Sequence, residues 1–257
     1  MMRAKRTVMN AWRTAAMTLV ALSALSAASA NLVLDPSFET TQSNNTYGSP
    51  PTTWFAGQSF GSTASGDTSG TSQVWVVTSG SIDLVNGPNF GHPGGGGDQF
   101  VELNGNNPGA IRQTVTVGVG GLYDFSFYYG GYAATESGLD AASDYVLSAV
   151  ARIVDSSNNN VVHSAVVSWS IAAGGFNGSW INTPYMAQFV LPAGTYYVEF
   201  ETLHFGGVDS NGNTIPAYFG PRIDGVNLSL VPEPASMVAL GAGLTGLLGL
   251  RRRRARG

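Results

Sequence analysis

The density of glycine constrains this chain more than any other feature of its sequence. Residues 31–231 hold 29 of the 34 glycines, and each glycine inside a helix costs about 1 kcal/mol relative to alanine. Between the glycines, runs rich in Val, Ile, Phe and Tyr recur, and several alternate apolar with polar side chains, as in Thr114–Val117. We therefore predict an all-β domain built from short strands and turns.

The spacing of the predicted strands indicates an antiparallel jelly-roll sandwich over residues 31–230. Polar residues at 155–160 and the run Pro192–Gly194 predict tight turns between strands, and Gln58–Ser72 predicts a surface loop. The nine predicted strands are Ser81–Val85, Gln99–Leu103, Ala110–Val117, Tyr123–Tyr129, Tyr145–Asp155, Val161–Trp169, Tyr185–Leu191, Thr195–Leu203 and Arg222–Leu230.

Charge is distributed unevenly along the chain. The whole sequence has 12 Lys and Arg against 16 Asp and Glu, a net charge of −4. Within residues 31–231 the cations are Arg112, Arg152 and Arg222 against 15 acidic residues, so this segment has a net charge of −12. Binding of nucleic acid requires clustered cations and is excluded. The absence of cysteine excludes disulfides, thiolate metal sites and a cysteine nucleophile.

The first 30 residues have the three parts of a secretory signal peptide. A basic start precedes the apolar run Ala15–Leu25, and small residues follow, ending at Ala28–Ala30. We predict a signal helix over residues 1–30 with cleavage after Ala30. The alternative, a membrane anchor, requires about 20 apolar residues, and this run is much shorter.

Residues 231–257 form a second distinctive segment. Two prolines make a stiff hinge, because proline disfavours both a continuing strand and a helix before it. The apolar run Ala235–Leu250 would measure about 24 Å as a helix, against about 30 Å for the hydrocarbon core. We predict a hydrophobic helix that inserts transiently into the inner membrane, with its basic end cytoplasmic. The residues of the predicted sorting motif are Pro232, Glu233, Pro234, Arg251, Arg252, Arg253 and Arg254.

This tail resembles the PEP-CTERM sorting signal, which has a Pro-Glu-Pro triplet, a glycine-containing hydrophobic segment and a basic terminus in that order. The resemblance implies recognition by an exosortase, an integral-membrane cysteine protease of Gram-negative bacteria, and an association with exopolysaccharide and biofilm. It implies export through the inner membrane to the cell surface or the extracellular matrix. A plain tail anchor, retained without cleavage, is the alternative.

The segment between the two ends carries a second resemblance. Its opening reads NLVLDPSFE and looks like the "NLVxNGSFE" start of galactose-binding-like modules. Together with four later runs it resembles the DUF642-related choice-of-anchor C domain, although Asp35-Pro36 stands where that family commonly has Asn-Gly. The resemblance implies a galactose-binding-like jelly roll that associates with cell wall or polysaccharide. The five runs are 31–39, 75–84, 97–105, 108–113 and 220–226.

A calcium site is implied by the same resemblance. In such jelly rolls the first and last strands are neighbours, and carbohydrate-binding relatives commonly hold calcium there through an early carboxylate, a late aspartate and backbone carbonyls. Glu39 and Asp224 match those positions, and ligation by oxygen alone suits Ca²⁺. The alternative is a pair of ordinary carboxylates at strand ends.

Aromatic residues in predicted loops are candidates for binding sugars, because an exposed ring beside polar groups can stack on a pyranose. The same sequence offers one pair of carboxylates for glycoside hydrolysis, Glu199 and Glu201, which lie two apart on a predicted strand. Trp75 and Trp169 lie in sequence contexts typical of strands and are expected in the core. The candidate ligand-binding aromatics are Trp180, Tyr185, Tyr132, Tyr218 and Phe205.

These observations favour an exported, non-enzymatic surface or biofilm-matrix protein whose domain associates with polysaccharide. A structural matrix protein that self-associates or binds other proteins is the first alternative. A glycoside-active enzyme is the second. Because the segment is strongly acidic, we expect neutral glycans or divalent cations as partners rather than polyanions.

Overall fold

The computed structural model describes residues 30–39, 52–60, 74–86, 97, 99–131, 146–170, 180–208, 214–215 and 218–232. Residues 31–230 form one compact unit. The predicted signal helix and C-terminal hydrophobic helix lie outside the described residues. Within the described ranges, no helix has the length and apolarity needed to cross a membrane.

Fourteen strands are present in the described part of the chain. They are β1 (Thr52–Phe55), β2 (Ser59–Phe60), β3 (Trp75–Ser79), β4 (Ser81–Asn86), β5 (Gln99–Glu102), β6 (Ala110–Val117), β7 (Gly121–Gly130), β8 (Val146–Asp155), β9 (Val161–Ser170), β10 (Tyr185–Leu191), β11 (Gly194–Thr202), β12 (Gly207–Val208), β13 (Thr214–Ile215) and β14 (Arg222–Leu230).

The strands form two six-stranded sheets and a two-stranded ribbon. Sheet A has the order β1-β4-β5-β14-β7-β10, and sheet B has the order β2-β3-β6-β11-β8-β9. Every strand pair is antiparallel. The neighbours in each sheet are mostly distant in sequence, as in a jelly roll. The all-β, antiparallel sandwich predicted from the sequence is confirmed.

All nine predicted strands are present, with ends that agree to within two residues. Five short strands were not predicted: β1, β2, β3, β12 and β13. The prediction of a surface loop at Gln58–Ser72 is wrong at its start, because β2 pairs with β3 and Phe60 is buried. The rest of that loop, from residue 61 to residue 72, lies outside the described residues.

Side chains on the inner faces of the two sheets form the core, as the alternation of the strands predicts. In β7, Tyr123, Phe125 and Phe127 are buried while the residues between them are more exposed. Trp75 and Trp169 are both buried, as predicted. Full burial of one such side chain contributes about 1.5–3 kcal/mol.

The N-terminal segment 31–39 is bound to both sheets. The Gln113 side chain of sheet B accepts a hydrogen bond from the Leu34 N–H (2.7 Å) and donates one to the Leu34 carbonyl (2.8 Å). The Trp75 indole N–H donates to the Asp35 carbonyl (3.3 Å), and Phe38 is fully buried. This segment therefore completes the core and holds the residues that follow Phe38 in place.

Candidate functional site

The first and last segments of the domain are neighbours, as the resemblance implied. Asn31 forms a bridge with Ser229, and its side-chain amide donates to the Val226 carbonyl (2.9 Å). The Leu32 N–H donates to the Leu228 carbonyl (2.8 Å). These contacts place the beginning of the domain along β14.

Two residues with positive φ turn the N-terminal segment toward Asp224. Asp35 has φ 45° and Phe38 has φ 59°, a conformation that aspartate adopts more readily than most residues. The Val226 N–H donates to the Pro36 carbonyl (2.9 Å). Opposite this turn, the pairing of β14 with β7 shifts register between Asp224 and Asn227. The turn and the bulge bring Asp35 and Glu39 near Asp224.

The carboxylates in this region repel one another. Asp224 is fully buried, and burial raises its pKa well above the ordinary value of 3.8. The Gly225 N–H, which donates to Asp224 Oδ1 (2.7 Å), opposes this shift, whereas the negative charges of Glu39 and Asp35 raise the pKa further. We call Asp35, Glu39 and Asp224 the acidic cluster. Asp35 and Asp224 are buried, whereas Glu39 is exposed.

Gln99 fixes the position of Glu39. The Gln99 N–H donates to Glu39 Oε1 (2.6 Å), and the Gln99 side-chain amide donates to the Glu39 carbonyl (3.2 Å). Gln99 is buried, and its own Oε1 has no hydrogen-bond partner within the described part of the chain. A buried amide oxygen without a donor is an available ligand for a hard cation.

Gly97 lets the backbone approach Glu39 closely. It has φ 126°, and a Cβ at this position would collide with the Glu39 carboxyl group. A side chain at Gly97 would therefore be strained by the backbone conformation and would displace the Glu39 carboxyl group. Within the described ranges, no group of three or more His, Cys, Asp or Glu residues has the geometry of a metal site. A cation here would need the Gln99 oxygen or backbone carbonyls in addition to carboxylates.

Two of the predicted sugar-binding aromatics are exposed and are held at one end of the sandwich. Phe205 is 69% exposed and Tyr218 is 54% exposed. The buried side-chain amide of Asn104 donates to the carbonyls of His204 (3.0 Å) and Phe219 (3.4 Å), the residues next to them. Asn104 thus holds the segments around His204 and Phe219 next to each other, and the β12–β13 ribbon lies between these segments in the chain. We call Phe205 and Tyr218 the aromatic rim.

Trp180 and Tyr185 do not form part of this rim. The prediction for Trp180 is wrong, because this residue is fully buried and packs edge-to-face on Phe100 with ring centroids 5.5 Å apart. Tyr185 is partly buried at the side of the sandwich, where its hydroxyl bonds His163 Nε2 (2.9 Å). Tyr132 lies outside the described residues. For Trp180 and Tyr185, the segments that pack around each ring determine how much of it is exposed.

Glu199 and Glu201 share the outer face of β11, as predicted. The register of β11 places Glu199 between Arg112 of β6 and Arg152 of β8. Glu201 forms an ion pair with Arg152 (2.6 Å), and Arg112 lies over the Tyr197 ring, 4.5 Å from its centroid. Both carboxylates therefore belong to a ladder of opposite charges on a sheet face.

Asp35, Gln99 and Asn104 are members of these sites that were not predicted from the sequence. Asp35 stood within the opening run NLVLDPSFE, four residues before Glu39, and its spacing was the available signal. Gln99 and Asn104 gave no signal, because amides in strands and loops are common. Of the predicted sorting residues, Pro232 is described and exposed, and the others lie outside the described residues.

Comparison with known proteins identifies a sorting motif and several similar folds. Residues 230–254 match the PEP-CTERM protein-sorting motif. No curated protein matches the sequence. Among solved structures, the chain is similar to TmCBM61 in complex with β-1,4-galactotriose, with 13% identity, a TM-score of 0.39 and coverage of 77% of this chain and 97% of that one.

Two further solved structures are similar to parts of the chain. One is a family 35 carbohydrate binding module from Clostridium thermocellum, with 16% identity, a TM-score of 0.35 and coverage of 61% of this chain and 92% of that one. The other is the arabinose-bound α-L-arabinofuranosidase MgGH51, with 8% identity, a TM-score of 0.40 and coverage of 78% of this chain and 26% of that one.

Proposed function

We propose that this chain is an exported cell-surface or biofilm-matrix protein, processed by an exosortase, whose non-catalytic domain associates with polysaccharide. The observation that carries the sorting part is the PEP-CTERM motif at residues 230–254. It begins where β14 ends, at Leu230, so the signal follows the last strand directly. Pro232 is exposed, which suits a segment that a protease must reach.

The aromatic rim supports the polysaccharide part. Exposed rings are the apolar surface that stacks on the C–H face of a pyranose. The rim lies beside the start of β14, because Phe219 comes shortly before this strand.

The charge of the domain supports a neutral glycan as the ligand. Three arginines stand against 15 acidic residues in 31–231. Arg222 is buried against Phe100, Arg152 pairs with Glu201 and Arg112 covers Tyr197. The cations are thus engaged within the domain, and a polyanion would be repelled.

Replacing Phe205 and Tyr218 together with alanine is expected to weaken binding to neutral polysaccharide. Stacking on aromatic rings contributes about 0.5–1.5 kcal/mol per pair beyond the area buried, so loss of both rings should weaken binding by roughly tenfold or more. The measurement is a pull-down of the exported protein with exopolysaccharide, followed by a glycan array.

Tyr197→Ala is the matched control, because Tyr197 is a tyrosine on the outer face of sheet B, away from the rim. This variant should bind as the parent protein does. A folded parent protein that is retained by no glycan would contradict the polysaccharide proposal. Equal binding by the double variant would place the ligand elsewhere on the domain.

The non-catalytic assignment is supported by the pairing of Glu201 with Arg152. A glycosidase needs one carboxyl group that is protonated and a second across the sugar from it, whereas Glu199 and Glu201 stand on one strand among arginines. Hydrolysis of a chromogenic glycoside that disappears in Glu199→Gln or Glu201→Gln would favour an enzyme instead.

We also propose that the acidic cluster binds a structural Ca²⁺ ion through Glu39 and Asp224. Burial is the main cause of the raised pKa of Asp224, and the negative charges of Glu39 and Asp35 raise it further. A divalent cation would relieve the repulsion among these carboxylates. The Gln99 oxygen would be a further oxygen ligand, and the buried Asp35 would add negative charge near the ion. Glu39, the exposed member, would lie at the entrance.

Removal of calcium with EDTA is expected to lower the melting temperature of the domain. At a calcium concentration a hundred times the Kd, binding stabilises the folded state by about 2.7 kcal/mol, which corresponds to roughly 5–11 °C for a domain of this size. Thermal unfolding followed by circular dichroism, with EDTA and then with added Ca²⁺, measures this shift. An unchanged melting temperature would mean that Glu39 and Asp224 are ordinary carboxylates and that the domain has no calcium site there.

A further inference from the structure

The outer face of sheet A carries a cleft that neither the acidic cluster nor the aromatic rim includes. It lies where β7 is flanked by β10 and β14, and its volume is about 330 Å³. Binding sites for small molecules commonly have volumes of about 300–1,000 Å³. The lining residues that project from this face are Asp124 and Ser126 of β7, Met186 and Gln188 of β10, and Asn227 of β14.

The alternation of β7 places polar side chains in the cleft. Tyr123, Phe125 and Phe127 point into the core between the sheets. Asp124 and Ser126 alternate with them and therefore project from the opposite side of sheet A. The same pattern that builds the core thus supplies the floor of the cleft.

The register of the three strands arranges the cleft in two rows. In one row, Ser126 lies between Met186 and Asn227. In the next row, Asp124 lies opposite Gln188. Neighbouring strands are about 4.7–4.9 Å apart, so the side chains of both rows can contact a single small ligand.

Hydrogen bonds position the polar groups of the cleft. The Gln188 side-chain amide donates to Asp124 Oδ1 (2.6 Å), and the Asn227 side-chain amide donates to the Ser229 hydroxyl (3.1 Å). An ionised carboxylate accepts at about four lone-pair positions, and a side-chain amide offers two donors and two lone pairs. One bond at each group therefore leaves capacity for bonds to a ligand.

The cleft is open to solvent and has an apolar component. Met186 is 72% exposed, and Gln188 is exposed beside it. Further along the same face, Val190 is 66% exposed and pairs with Leu122, which is 39% exposed. The flexible thioether of methionine adapts to irregular apolar shapes. A ligand that enters the cleft meets both polar groups and apolar surface.

The chemistry of these side chains selects a neutral ligand rich in hydroxyl groups. Among the lining residues that the structure describes, Asp124 is the charged one, and its carboxylate repels anions. A hydroxyl group can donate to this carboxylate and can both donate to and accept from an amide. A purely apolar ligand would bury the carboxylate and the amides without partners, at a cost in free energy.

We propose that this cleft is a second carbohydrate subsite, which binds one sugar residue of a neutral polysaccharide through Asp124, Gln188 and Asn227, with Met186 against its C–H groups. The assignment rests on the proposed function, because it adds a contact for the same class of ligand. The aromatic rim lies beside the start of β14, whereas Asn227 is the sixth of its nine residues. The two sites therefore contact different parts of a bound polymer.

Replacing Gln188 and Asn227 together with alanine tests the subsite in the full exported chain. Each side chain that loses a hydrogen bond to the ligand weakens binding several-fold, so the apparent Kd should rise by roughly tenfold. Native gels cast with increasing amounts of galactan, glucomannan or dextran measure the retardation of the protein and hence this Kd. A circular dichroism melt verifies that the variant is folded.

Ser126→Ile provides a second measurement, because it fills the cleft without removing a hydrogen-bonding group of Asp124, Gln188 or Asn227. Ser126 is only partly buried on the outer face, and isoleucine favours strands, so this variant should fold. It should lose retardation as the double variant does. Retardation equal to that of the parent protein in both folded variants would overturn the subsite.

Thr114→Ala combined with Thr116→Ala is the matched control, since both threonines are exposed on the outer face of β6 in sheet B. This variant should be retarded as the parent protein is, and an equal loss of retardation in it would count against a specific site in the cleft. If the parent protein is retarded and the cleft variants match it, the subsite is wrong and polysaccharide association stands. A folded parent protein that none of the three polysaccharides retards would contradict both proposals.

Discussion

Replacing Phe38 with alanine is expected to lower the free energy of unfolding by about 3–5 kcal/mol, the range for large aromatic residues in a core. Phe38 is fully buried, and its ring lies 5.3 Å from Trp75 and 6.1 Å from Phe60, centroid to centroid. Truncation would open a cavity between the N-terminal segment and sheet B. Chemical denaturation of the parent and variant proteins measures the change.

Phe55→Ala serves as the control for Phe38→Ala, since Phe55 is exposed. A change at an exposed position should stay within about 0.5 kcal/mol. Because Phe38 precedes Glu39, its truncation should also weaken any response to calcium. A loss of less than about 1 kcal/mol in the Phe38 variant would mean that segment 31–39 contributes little to the core.

Asp224→Asn is expected to raise the melting temperature of the calcium-free protein and to remove the response to calcium. Asparagine keeps the acceptor for the Gly225 N–H but carries no charge, so burial and repulsion from Glu39 and Asp35 no longer destabilise the fold. A gain of about 1 kcal/mol would raise the melting temperature by about 2–4 °C in a domain of this size. Thermal melts in EDTA and in calcium measure both effects.

Asp124→Asn provides the comparison for Asp224→Asn. Asp124 lies on β7 and its carboxylate accepts a hydrogen bond from the exposed Gln188 (2.6 Å). Its amide variant should retain whatever calcium response the parent protein has. If Asp224→Asn destabilises the calcium-free protein and leaves the calcium response intact, Asp224 is an ordinary buried carboxylate and the proposed site is wrong.

The predicted strands are longer than most of the missed ones. A long strand shows a pattern in its own sequence, whereas a two-residue strand is recognised only by its pairing with a neighbour. Ala110–Val117 was predicted to the residue because its length and the alternation over Thr114–Val117 are visible without its partners. Ser59–Phe60 and Gly207–Val208 have two residues each, too few for any period. They are strands because β3 and β13 lie beside them.

The candidate sites were predictable to different degrees. The resemblance of the opening run to known modules placed Glu39 near Asp224, and the electrostatic interaction between them is present. The exposure of aromatic rings was not predictable from loop position. Trp180 follows a glycine-rich run, yet it packs on Phe100, whereas Phe205 in a similar setting is exposed. Exposure depends on which segments cover a ring.

The sequence by itself determined the strand class, the acidic charge, the absence of cysteine chemistry and the sorting motif at residues 230–254. Each of these follows from composition or from residues close together in the chain. Only the tertiary structure decided that Asp224 lies near Glu39 and that Asn104 joins the segments of Phe205 and Tyr218. These properties depend on contacts between distant residues, which form only when the two sheets pack.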